Sequence, residues 1–234
     1  LVRGWKNACD LAQCAWGGGE TPTLKGVIMP HAVVLSGSAI GIIKPKKRLI
    51  VGTIAHGDAI IIIESSGIHA NGLTLARAIA EKLPEGYRTE LRHGRSYGET
   101  LLDPTLIYVG LVEGCIDHGV NIHYAVNVTG HGWRKLMRAT PPFTYVIERL
   151  PKEPLIFDFL QRHGPVDDRE AYGNLNMGAG FALYVGQSDI EMVLDVARGL
   201  GLGALVAGHI ENGEKRVIIK PKGLEYAGET LMVR

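Results

Sequence analysis

An excess of charge of either sign is missing from this chain. It carries 25 Lys and Arg against 24 Asp and Glu in 234 residues, a formal net charge of +1. No broad electrostatic pull toward nucleic acid or an acidic membrane surface follows from that balance, so neither partner is expected. Cysteine is scarce as well. Cys9, Cys14 and Cys115 are an odd set without a C-x-x-C pair, which fits buried thiols in a reducing compartment better than a disulfide framework. No apolar run reaches the length of about 18 residues that a membrane span needs, and no charged-then-apolar leader opens the sequence. A cytoplasmic location is the default expectation. The nine histidines contain no H-x-x-x-H pair and no His/Cys cluster with zinc spacing, so no metal ligand is assigned. No pair of acids and bases is singled out by spacing, and the catalytic residues stay unassigned.

Glycine is the residue in surplus, with 31 positions against a usual share of about 7%. Most of these glycines fall in turns between apolar segments. The chain is organised around residues 57–77. Ile60, Ile61, Ile62 and Ile63 form an unbroken β-branched run, suited to a strand buried on both faces. Residues 65–72 then supply Ser65, Ser66, Gly67, His69, Asn71 and Gly72. Leu73, Ala76, Ile79, Ala80 and Leu83 follow at helical spacing, with Pro84 and Gly86 as the stop. A strand, a glycine-bearing turn and a helix aim several backbone N–H groups and a helix dipole at one point, an arrangement that favours an anion. The same residues also meet the ordinary needs of turns and N-caps, so spacing alone leaves both readings open. The stretch is neither a Walker A loop nor a G-x-G-x-x-G fingerprint.

Three other turns are built alike: residues 17–21, with Glu20 and Thr21; residues 129–132, with Thr129 and Gly130; and residues 174–180, with Asn176 and Gly178. If they converge, they make a pocket rich in backbone donors and poor in cations, fit for a phosphorylated small molecule. Elsewhere the pattern predicts a helix over residues 1–12, strand character at 14–16 and 32–43, and a helix opened by Asp103-Pro104 and closed at Gly119. It predicts a strand at 122–128, a solvated charge cluster at 167–170 and a capping box from Ser188 to Glu191. Asn212-Gly213 reads as the turn of a hairpin joining strands at 204–211 and 216–220. Alternating elements with hairpin signals point to an α+β fold, a mixed sheet covered by helices.

Five ordered stretches together resemble the AIR synthase (phosphoribosylformylglycinamidine cyclo-ligase) superfamily. They are Gly18-Gly19-Glu20-Thr21; Ser65 to Gly72 with Leu75 and Arg77; Leu102-Asp103-Pro104-Thr105 with Tyr108; Thr129-Gly130-His131-Gly132; and Asn176-Met177-Gly178-Ala179-Gly180. The Gly-Glu-Thr-Pro-Thr-Leu-Lys run is similar to an AIR synthase-related paralogue. The resemblance implies that residues 1–45 are the C-terminal part of an N-terminal α/β domain carrying the dimer and ATP site, and that 46–234 are the C-terminal domain. The chain, which opens at Leu1 within a helix, is then expected to be part of a longer protein. It also implies a homodimer using ATP and Mg²⁺. That enzyme activates a substrate amide oxygen so that a ring nitrogen can displace it, giving aminoimidazole ribonucleotide. The 65–72 turn would hold a phosphate, Glu20 and Thr21 would face the same cleft, and Asn176 and Gly178 would help line it. Two alternatives stand beside this: a small-molecule kinase of the same superfamily, and a non-catalytic module that binds phosphorylated ligands.

Overall fold

The computed structural model describes residues 1–92 and 94–231. They divide into two compact units, Leu1–Leu49 and a larger one beginning at Ile50. His93, within the polar 88–99 excursion, lies outside the described residues.

In the first unit, helix α1 (Val2–Leu11) forms as its apolar spacing predicts, but none of its residues is buried. The strands expected at 14–16 and 32–43 do not form. A strand needs a neighbour to take its ladder hydrogen bonds and cover its apolar face. Among the described residues nothing pairs with these segments, and Ile40 and Ile42 are 100% and 88% exposed.

The second unit is built on a seven-stranded sheet ordered β4-β6-β1-β7-β5-β8-β9. Its strands are β1 (Ala59–Glu64), β4 (Ile122–Asn127), β5 (Phe143–Ile147), β6 (Ala179–Val185), β7 (Ala204–Asn212), β8 (Arg216–Ile219) and β9 (Leu224–Ala227). A small pair, β2 (Glu90–Arg92) and β3 (Arg95–Ser96), stands apart from it. The helices are α2 (Leu73–Ala80), α3 (Tyr97–Leu101), α4 (Val109–Asp117), α5 (Leu155–His163), α6 (Asp168–Asn174) and α7 (Ile190–Gly199). Of the pairings in the large sheet, β5 with β8 is parallel and the others are antiparallel. The α+β expectation holds.

The isoleucine run is buried on both faces because β1 lies between β6 and β7 and successive side chains alternate sides. Ile60 and Ile62 enter a core with Ala76 and Ile79 of α2, Ile156 and Phe157 of α5, and Trp133. Ile61 and Ile63 enter the opposite core with Leu111 and Cys115 of α4 and Val193 and Ala197 of α7. Helices therefore cover both faces of the sheet.

Several local expectations are corrected. Asn212-Gly213 does not close a hairpin: β5 inserts between β7 and β8, pairing antiparallel with one and parallel with the other. The hairpin is instead β8–β9, turned by Gly223 at φ 62°. The helix expected from Asp103 starts at Val109, because Asp103 is held by Arg95 at 2.7 Å rather than by a helix amide. Residues 167–170 are largely exposed, as expected of a solvated cluster, but open a helix and not a loop: Asp167 caps α6 by accepting from the Glu170 amide at 2.8 Å. The capping box belongs to Ser96 and Glu99 at the start of α3, and α7 has no side-chain cap. Residues 94–98 spell G-x-S-x-G, but that box engages the Ser96 hydroxyl with Glu99 at 2.9 Å.

Candidate functional site

The loop after β1 is fastened from beneath by one side chain. Asn176, fully buried, donates from Nδ2 to the carbonyls of Gly67 (2.9 Å) and Ile68 (3.2 Å). Its Oδ1 accepts from Ser65 Oγ (2.8 Å) and from the Gly178 amide (3.0 Å). Both ends of the amide are spent on the chain. The Ser65 amide donates to Gly178 O at 2.8 Å, and Trp133 Nε1 donates to Asn176 O at 2.9 Å. The 65–72 and 174–180 turns are thus tied into one body, with the 129–132 turn leading into the short helix that carries Trp133. Gly130 packs on Asn71: a Cβ placed there would stand 3.3 Å from Asn71 Oδ1. Gly132, at φ 51°, abuts α6 so closely that a Cβ would fall 2.3 Å from Tyr172 O, which only glycine tolerates.

Above this clamp the chain leaves donors without acceptors. Among the described residues, the backbone amides of Gly67, Ile68, His69 and Ala70 are given no hydrogen-bond acceptor, while the Asn71 amide closes a turn on Ile68 O. Asn71 Nδ2 is buried and also unpartnered. Gly72 begins α2 in the left-handed region and gives its first turn no side-chain cap. His69 turns back on the loop at φ 56°. Its Nε2 accepts from the Ser66 amide at 3.2 Å and lies 3.0 Å from Ser66 Oγ, whose proton goes to Pro104 O at 2.6 Å. Burial lowers the His69 pKa from its ordinary 6.5. The ring is then neutral, with its proton on Nδ1.

Beside the loop lies a cleft of about 530 Å³, within the range of small-molecule sites. Its walls include His69, Thr105, Tyr108, Glu113, Asn127 and Thr129. Tyr108 donates to Glu64 O at 3.1 Å and stacks on Phe181 with ring centroids 5.1 Å apart. Burial raises its phenol pKa. The α4 N-terminus, without a side-chain cap, opens on the same wall. Among the described residues no Lys or Arg lines this cleft. An anion placed there would meet N–H groups and helix ends rather than a cationic side chain. A second, more open cleft of about 430 Å³ lies at the other end of β1, near Gly57, Gln187 and His209. Among the described residues no buried unpartnered side-chain donor lines it.

His69 and Thr129 therefore reach the cleft wall, with Ser66, Gly67, Asn71, Gly72 and Gly130 in the adjoining loops. Ser65, Asn176 and Gly178 are buried and fasten those loops from below, in place of the lining role expected of Asn176 and Gly178. Glu20 and Thr21 are exposed in the irregular part of the first unit, where Trp16 Nε1 donates to Gly18 O at 2.6 Å. Sequence reasoning missed Glu113 and Asn127 as wall residues. It also missed Arg134, whose guanidinium binds Gly173 O, Asn174 Oδ1 and Thr230 O at 2.8, 3.1 and 2.8 Å. Tyr108 and Thr105 stood within a motif but carried no assigned role.

Residues 55–220 match the family model described as AIR synthase related protein, C-terminal domain, and the loops just described fall inside that span. The chain belongs to this family. Among its AIR synthase relatives is the phosphoribosylformylglycinamidine cyclo-ligase of Symbiobacterium thermophilum, 36% identical over 94% of this chain and 65% of that protein. The enzyme of the same name from Caldicellulosiruptor bescii is 33% identical over 94% of this chain and 66% of its own length. The chain thus spans a little under two thirds of these relatives. Among solved structures, hydrogenase maturation protein HypE superposes with a TM-score of 0.48 at 14% identity, over 75% of this chain and 53% of that one. No helix of the described AIR synthase-related chain is long and apolar enough to cross a membrane.

Proposed function

We propose that this chain carries the phosphate-holding part of an ATP-dependent cyclo-ligase of purine biosynthesis, of the phosphoribosylformylglycinamidine cyclo-ligase type. The observation that carries the reading is Asn71 Nδ2, a buried donor without an acceptor beside a run of free loop amides. Buried donors are rarely left unmade, and this orphan sits in the loop whose adjacent residues, His69 and Ala70, line the cleft. The names of the relatives supply the reaction class.

In this reading the phosphate of a phosphorylated small-molecule substrate, or of ATP, rests on the amides of residues 67–70 and the α2 N-terminus. Asn71 Nδ2 and His69 Nδ1–H add side-chain donors. The neutral imidazole gives a hydrogen bond without a charge, and the apolar wall of Tyr108 and Phe181 excludes water. ATP supplies the phosphoryl group that activates the substrate amide oxygen before ring closure. This chain's contribution is orientation of the two phosphate-bearing ligands. Among the described residues no group of three or more His, Cys, Asp or Glu gathers for a metal ion. The protein acts in the cytoplasm as a homodimer, a second copy covering the exposed Val33, Leu35, Ile40 and Ile42.

The test gives the complete protein ATP, Mg²⁺ and formylglycinamidine ribonucleotide. ADP, phosphate and the cyclised aminoimidazole product are expected in equal amounts. A phosphorylated product that persists uncyclised would replace the reading with a kinase. Binding without ADP release would replace it with a non-catalytic module. Sedimentation at micromolar protein checks the dimer.

A further inference from the structure

The chain was expected to bury its thiols, and Cys115 is indeed buried within the α4 core. Cys9 is half-exposed and Cys14 exposed. Their proximity is a product of how α1 ends. Ala12 is the C-cap, and Gln13 follows it in the left-handed region at φ 53°. The Gln13 amide donates to Asp10 O at 3.1 Å, and the Cys14 amide donates to Cys9 O at 3.0 Å. This pair of bonds is a Schellman ending, which brings the side chain two places past the cap onto the one three places before it. In most proteins that contact is between apolar residues. Here both positions are cysteine, and the two thiols are close enough to influence each other's ionisation.

We propose that Cys9 and Cys14 form a reversible dithiol–disulfide site, oxidised by low-molecular-weight disulfides such as glutathione disulfide. Cys14, the exposed member, attacks as the thiolate after giving its proton to solvent. A bond forms between its sulfur and one glutathione sulfur, and the other glutathione leaves as thiolate and takes up a proton. Cys9 then loses its proton and attacks the Cys14 sulfur of the mixed disulfide, releasing the second glutathione. Two protein thiols are oxidised to one disulfide, and one glutathione disulfide is reduced to two glutathiones. Cys9 suits the second role. Partial desolvation first, and then the neighbouring Cys14, raise its pKa above that of an ordinary thiol, which leaves first attack to the exposed Cys14. Cys115, whose pKa burial pushes up to about 11, serves as the inert control. The bridge closes six residues before Glu20, at the start of the segment that carries the Gly-Glu-Thr motif.

The full-length protein is equilibrated in glutathione buffers of rising disulfide fraction, alkylated, digested and mapped by mass spectrometry. Of Cys9, Cys14 and Cys115 in the wild-type protein, only Cys115 should stay free, with Cys9 and Cys14 found in a linked peptide that has lost two hydrogens. Cys9→Ser should stop at a persistent glutathione adduct on Cys14, and Cys14→Ser should keep Cys9 free. A lasting adduct on wild-type Cys14 without the bridge would overturn the proposal, as would retention of all three thiols or a bridge between two chains. The wild-type peptide map decides these outcomes by itself should either variant fold poorly.

Discussion

Two asparagines in similar glycine-rich turns do opposite work. Asn176 makes four hydrogen bonds within the chain, so Asn176→Ala strips partners from several buried groups at once. Each such loss costs about 1–3 kcal/mol, and a total near 3 kcal/mol is expected as a lowered urea midpoint. Asn71→Ala removes a donor that is already unpartnered in the folded chain. Its stability should be unchanged or slightly higher, while calorimetry should show affinity for a phosphorylated ligand about tenfold weaker, the worth of one such hydrogen bond. Lost stability with intact binding would turn Asn71 into a second clamp. The spacing of Gly, Ser and Asn marked both turns as special but could not assign these roles, because three of the four partners of Asn176 lie more than a hundred residues away. His69 adds a pH dependence. Its folded pKa lies below the unfolded 6.5, so the unfolded chain binds the extra proton first as pH falls. This contribution to stability is complete above about pH 6.5 and declines as the pH drops toward the folded value. Urea melts at pH 8 and pH 5 should show that loss, and His69→Gln should flatten it.

At the scale of elements, close backbone approach shapes the cleft wall. A Cβ on Gly180 would overlap the Tyr108 hydroxyl, standing 1.8 Å from it. Gly180→Ala should therefore push Tyr108 off Glu64 O and cost about 1–3 kcal/mol as overpacking. Tyr108→Phe loses the hydrogen bond alone, about 1 kcal/mol. If the alanine variant matched wild type in thermal unfolding, the wall would be softer than its packing indicates. Elements with strong local signals were legible. The isoleucine strand, the Leu73 helix and the turn at residues 129–132 rest on side chains a few residues apart. Pairing was not legible where it depends on distant chain. Asn212-Gly213 carries the chemistry of a tight hairpin, yet β5, some seventy residues earlier, occupies the place between the two strands. Asp103-Pro104 likewise looks like a helix start until Arg95 takes the carboxylate.

On the scale of the sheet-bearing unit as a whole, the cleft is assembled by the ends of β1, β4 and β6, which are neighbours in the sheet but far apart in sequence. Its walls exist only while β1 holds both cores together, with Ile60 and Ile62 facing one and Ile61 and Ile63 the other. Binding in the cleft must then be linked to unfolding of the sheet, not to local ordering of a single loop. A phosphorylated ligand at a hundred times its dissociation constant should raise unfolding free energy by about 2.7 kcal/mol. The urea midpoint should rise while the slope with denaturant stays the same, since ligand adds no buried chain surface of its own. The dephosphorylated compound should leave the midpoint where it was, because the free amides at residues 67–70 answer to negative charge. A stabilisation equal for both compounds would place recognition on the apolar wall of Tyr108 and Phe181 instead. A change in slope would show that the cleft forms only on binding.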